Sequence, residues 1–193
     1  MKLSIKQFLG ALFLTIVSSS YTAAQISSAS QKDDLLPIFQ AFVNGKSMQF
    51  NQGKLQAYIA KEDGEITILA QTSTDILNTN IILLSIIPID TNFKVSKGEL
   101  KILPEEKSKN FVIKAEYSSN KEGNSSYWWT NTEHQGGGIL YIDEITQNSI
   151  KGRFSFTAVL EKEDGEMNPK NVVKITNGQF RLPLETKSRI DSQ

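Results

Sequence analysis

The chain has 193 residues, with 21 Lys and Arg against 21 Asp and Glu, a single His and no Cys. So balanced a charge supplies no basic footprint for nucleic acid or for an anionic membrane surface. Without Cys, and with His134 as the only imidazole, thiol catalysis, iron–sulfur clusters and Cys/His zinc sites are excluded within one chain.

The N-terminus sets the compartment. Lys2 and Lys6 precede an apolar run from Phe8 to Val17, followed by small residues that end in Ala24. That order of charged, apolar and small residues is the layout of a secretory signal peptide, a helix removed after export, here with cleavage after Ala24. The run is about half of the roughly 20 residues that a spanning helix needs, and no later segment is longer, so no membrane span is expected after cleavage. Lys2 and Lys6 leave with residues 1–24, so 19 basic residues remain against 21 acidic ones. An exported chain without Cys must hold together without disulfides, which points to a bacterial exporter.

Residues 25–36 open on QISSASQKDD, which carries too little apolar surface to offset its ordering entropy, and they read as a flexible leader. Residues 37–185 have the size and alternation of one domain. Residues 186–193, the end of ETKSRIDSQ, read as a flexible tail.

Within the domain the signal is alternation broken by turn dipeptides. In FQAFVNGKSMQF, an Asn44-Gly45 turn places Ala41 opposite Met48 and Phe39 opposite Phe50. In AYIAKEDGEITILA, a turn at Asp63-Gly64 places Ile59 opposite Ile68 and Ala57 opposite Ala70. IILLSII (81–87) is apolar on both faces and reads as a central strand covered on both sides, ended by Pro88. GELKIL (98–103), FVIKAEY (111–117) and GILYIDEI (138–145) supply further strands. In GRFSFTAVL, Phe154, Phe156, Ala158 and Leu160 share one face, with Arg153, Ser155 and Thr157 on the other. In VVKITNGQFRLPL, an Asn177-Gly178 turn would close a last hairpin with Ile175 opposite Phe180. The pentapeptide KEDGE occurs at Lys61–Glu65 and Lys162–Glu166, and is read as the same turn chemistry used twice.

Nine to eleven short strands and no amphipathic helix predict an all-β fold: one antiparallel β-sandwich, with a β-barrel as the alternative.

The chemistry-bearing residues concentrate in SYWWTNTEHQGGG (126–138), which holds both Trp residues and the His. Alternation puts Tyr127 and Trp129 on one face and Trp128 on the other, so one set must leave the core. An outward aromatic beside polar groups suits stacking on a sugar or a partner surface. The candidate binding residues are therefore Tyr127, Trp128, Trp129, Asn131, Glu133 and His134, with an unknown protein or glycan as partner. A serine hydrolase would have to combine His134 with Ser125 or Ser126 and Asp143, but no GxSxG elbow supports it. A glycosidase needs two carboxylates, for which Glu133, Asp143 and Glu144 are the candidates. The acidic runs KDD and EDGE lack the spacing of a calcium loop. No catalytic residue, metal or cofactor is expected.

The ordered motifs GGGILYIDEI, SIKGRFSFTAVL and VVKITNGQFRLPL, preceded by AFVNGKSMQF, carry a resemblance. Over about Phe39 to Leu184 the chain resembles a group of small exported β-proteins of the Bacteroidota, many of them lipoproteins, known as a domain of unknown function. The group has a first strand with an NG turn, a G-x-L-x-I strand, a G-x-F-x-F strand and a terminal ITNG-x-F hairpin. The resemblance implies fold and export and brings no catalytic residues. This chain departs from the lipoprotein members in lacking the Cys that a lipid anchor requires. The expectation is an exported, non-enzymatic binding module of the envelope or medium. The alternatives are a carrier of a small apolar ligand and a carbohydrate-active enzyme.

Overall fold

In the computed structural model, residues 36–50, 52–90, 92–130, 132–134 and 136–188 are described. The signal peptide, the leader up to residue 35, Asn131 and residues 189–193 lie outside them. Eleven strands form one hydrogen-bonded sheet, and the all-β expectation holds. They are β1 (Ile38–Val43), β2 (Lys46–Gln49), β3 (Leu55–Ala60), β4 (Ile66–Gln71), β5 (Asn80–Pro88), β6 (Gly98–Ile102), β7 (Phe111–Lys121), β8 (Asn124–Trp129), β9 (Gly137–Ile145), β10 (Ser149–Glu161) and β11 (Met167–Lys187). Single 3₁₀ turns at Glu105–Lys107 and Thr132–His134 are the only helical elements among them.

The spatial order is β2-β1-β11-β3-β4-β5-β7-β8-β10-β9-β6, and β10 also pairs with β11. The ladder that leaves β11 through β3, β4, β5, β7 and β8 thus reaches β10 and returns to β11. β1–β2 and β9–β6 extend it as two wings. All pairings are antiparallel but one: Leu184–Lys187 of β11 runs parallel to Ala57–Ala60 of β3. This changes two sequence expectations. The sheet is not purely antiparallel, and β11 continues through Thr186 and Lys187, which fall in the span expected to be a flexible tail.

One face of the sheet lines a single core. Phe39, Phe50, Phe154, Phe156 and Phe180 are all buried there. Phe39 meets Phe50 edge-on at 5.1 Å and Phe154 at 5.3 Å, and Phe154 meets Phe180 at 6.2 Å. Aromatic pairs at such separations add about 0.5–1.5 kcal/mol beyond the area they bury.

The first hairpin follows the predicted register, Ala41 opposite Met48, with Asn44 and Gly45 both at positive φ as a type I′ turn requires. The second is offset by two residues: Ala57 faces Ile68 and Leu55 faces Ala70. A shift of two keeps every side chain on its face, so the apolar pattern could not distinguish the registers. The loop decides. Gly64 takes the positive φ, the Asp63 carboxylate accepts from Glu65 N–H, and Ala60 N–H bonds Glu65 C=O, which makes the connection longer than two residues. The second KEDGE repeats the Asp-to-N–H bond, from Glu166 N–H to Asp164, but closes between Lys162 and Glu166. One pentapeptide thus serves two different loop closures.

The last expected hairpin is absent, because Asn177-Gly178 lies inside the continuous strand β11. The register slips there against both neighbours: Phe154 faces Gly178 while Phe156 faces Ile175, and Gln40 faces Gln179 while Phe42 faces Thr176. Asn177, at φ 51°, is the residue of a β-bulge. An Asn-Gly pair meets the need for positive φ in a bulge as well as in a turn, which is why the dipeptide misled. Gly178 has a further task, since a Cβ there would stand 2.5 Å from the Phe154 ring.

Strand β5 is interior, between β4 and β7, and Ile82, Leu84 and Ile86 are buried in the core. Its other face is not fully covered: Ile81, Leu83 and Ile87 are half-buried. That outward, partly apolar face continues onto β7 and β8.

Candidate functional site

Strands β7 and β8 are joined by a two-residue turn, Glu122-Gly123, with φ of 52° and 82°. This turn fixes the register of the YWW stretch. Tyr117 faces Trp128, Ser118 faces Tyr127 and Glu116 faces Trp129. On the far side of β8, Trp129 faces Val159, Trp128 faces Leu160 and Tyr127 faces Glu161 of β10. β8 ends at Trp129, and the next residue, Thr130, donates its N–H to Ala115 C=O while its hydroxyl accepts from Ala115 N–H.

The alternation then sorts the aromatics. Tyr117 is buried, donates its hydroxyl to Asn80 Oδ1 at 2.8 Å and lies 5.4 Å from Trp128. Trp128 packs against the core, and its indole N–H reaches Asn171 Oδ1 at 3.3 Å. Trp128 therefore stands apart from Tyr127 and Trp129, and the six candidate residues do not share one surface. Tyr127 is 42 % exposed on the opposite, outward face. Trp129 is half-buried beside it and donates its indole N–H to Glu161 Oε2 at 2.7 Å.

Two glutamates flank this outward pair. Glu161 pins Trp129, and Glu116 stands directly opposite Trp129 on β7. Burial pushes the Glu116 carboxyl above its ordinary value; a hydrogen bond from Ser118 works the other way, and the neighbouring charge of Glu161 adds to the rise. Among the described residues, no Lys or Arg forms an ion pair with either carboxylate. Leu83 continues the row beyond Glu116, and Val159 and Val172 continue it beyond Trp129.

The other candidates fall elsewhere. Glu133 is exposed and His134 half-buried, both in the 3₁₀ turn that follows β8. Asp143 lies six residues into β9 from Gly137, about 20 Å of strand at roughly 3.3 Å per residue. There it holds Arg153 at 3.0 Å, and the guanidinium also lies 4.6 Å over the Tyr141 ring. Of the three carboxylates considered for a glycosidase, Asp143 is thus engaged by Arg153. Ser125 sits at the β7–β8 turn, at the end of β8 remote from His134. Among the described residues, no group of three His, Asp or Glu is arranged to hold a metal ion.

Sequence reasoning missed Glu116, Ser118 and Glu161. The signal was present in register form: a turn at Glu122-Gly123 sets Trp129 opposite Glu116. It was unread because a non-glycine residue with positive φ is expected to be Asn or Asp rather than Glu.

Comparison with protein-family models, with curated proteins and with solved structures found no match. No helix among the described residues is long and apolar enough to cross a membrane. Fold and site together define an all-β chain with one outward aromatic and acidic surface.

Proposed function

We propose that this protein is an exported, non-enzymatic binding module of the bacterial envelope or medium, and that its ligand is a glycan held on the outward face of β7, β8 and β10. One observation carries the reading: Tyr127 and Trp129 share an outward face, and the Trp129 indole is fixed by its 2.7 Å bond to Glu161. A ring held before the ligand arrives loses little rotamer freedom on binding. Sugar rings offer C–H faces for stacking and hydroxyl donors for carboxylates. Tyr127 and Trp129 supply the faces, and Glu116 and Glu161 supply the acceptors.

The carrier alternative has less support, because phenylalanines fill the interior where an apolar ligand would sit. The enzyme alternative has less support, because Asp143, one of its three candidate carboxylates, is held by Arg153 at 3.0 Å.

The test is a glycan array probed with the wild-type protein and with Tyr127→Ala and Trp129→Phe. The expected result is a defined set of bound glycans, weakened by both substitutions while the thermal midpoint stays close to wild type for the exposed Tyr127. Binding that neither substitution alters, or no bound glycan at all, would overturn the reading.

A further inference from the structure

Building on the glycan reading, we infer that the preferred glycan carries a free amine, an unacetylated hexosamine, whose protonated nitrogen sits between Glu116 and Glu161 against the Trp129 ring. Glu116 and Glu161 occupy β7 and β10, the two strands that flank β8. Glu116 stands opposite Trp129, and Glu161, opposite Tyr127, accepts the Trp129 indole N–H at 2.7 Å. Two carboxylates so placed repel each other in the unliganded protein.

Among the described residues, no charge around the pair forms an ion pair with it. On β7, the outward neighbours of Glu116 are Lys114 and Ser118; Lys114 is exposed and in no ion pair among the described residues, and Ser118 is neutral. β5 presents Ile81, Leu83 and Ser85 to them. β8 contributes Tyr127 and Trp129. On β10, Ser155, Thr157 and Val159 are uncharged, and Lys162 beyond them is committed to Glu166 at 2.7 Å. On β11, Lys174 stands opposite Thr157 rather than Glu161.

A protonated amine answers each feature of the surface. It donates charge-assisted hydrogen bonds to carboxylates, it is attracted to the face of an indole, and the sugar body beside it stacks on Tyr127. An N-acetyl group at the same position is neutral and bulkier, and it leaves the two carboxylates unneutralised.

The experiment uses protein produced from the whole reading frame and compares, by titration calorimetry near neutral pH, a β-1,4-linked tetramer of glucosamine with the corresponding N-acetylglucosamine tetramer. The expected preference for the free amine is about tenfold or more, the scale of one charge-assisted contact. Glu161→Gln and Glu116→Gln should each reduce that preference about tenfold; Gln at 161 still accepts the Trp129 N–H, so the platform is kept. If both tetramers bind equally and Tyr127→Ala weakens both, the amine inference falls and the glycan surface stands. If the amine tetramer binds but ignores Tyr127→Ala and both Gln variants, inference and surface fall together. Binding of neither tetramer overturns the inference, as does capture of polylysine in their place, which would assign the cation to a protein partner.

Discussion

Glu116 links the chemistry of the surface to the stability of the fold. Its raised carboxyl pKa means that the folded chain holds this proton more tightly than the unfolded chain does. The stability it contributes is therefore complete below the ordinary glutamate value of 4.5 and is lost as pH rises through the folded pKa. Glu116→Gln should then unfold at a higher temperature than wild type at about pH 7, with the difference vanishing below about pH 4. Thermal unfolding across that range checks it, and a Gln variant that is less stable at neutral pH would contradict the desolvated carboxylate. Glu116 was not visible as a site residue in the sequence, because it lies 13 positions before Trp129 and meets it only through the hairpin register.

At the scale of elements, strands were legible and their connections less so. Alternation marked the inward faces of β1 and β10 correctly, since burial acts on every second residue, whereas β5, apolar on both faces, gave no such sign and is covered on one face only. Turn dipeptides were ambiguous: Asn44-Gly45 makes a turn, Asn177-Gly178 makes a bulge, and both meet the same demand for positive φ. What separates them is tertiary. β11 is paired along both edges through Gly178, and the Phe154 ring stands directly over that glycine. Gly178→Ala should therefore destabilise by about 1–3 kcal/mol through overpacking. Urea unfolding measures this, and Phe154→Leu in the same chain should recover part of the loss, as a coupled pair must. An additive double variant would contradict the ring-over-glycine contact.

The whole molecule explains why one stretch could be singled out yet misread. The sheet surrounds one core, so every strand has an inward and an outward row, and YWW contributes to both. Sequence alone identified the concentration of aromatics and the split between Trp128 and the pair Tyr127 and Trp129. It could not say which row faced out, nor bring in residues from β7 and β10. The parallel pairing of β11 with β3 was equally beyond reach, because it joins the last strand to the third with no local turn to announce it.

The most direct measurement of this arrangement follows the two indole N–H resonances in a proton–nitrogen correlation spectrum as pH is lowered through the carboxylate range, with Trp128→Phe to assign them. The Trp129 signal should shift as Glu116, directly opposite it on β7, takes up its proton, while the Trp128 signal, bonded to Asn171, should stay in place. A titrating Trp128 beside a silent Trp129 would contradict the outward aromatic and acidic surface on which the glycan reading rests.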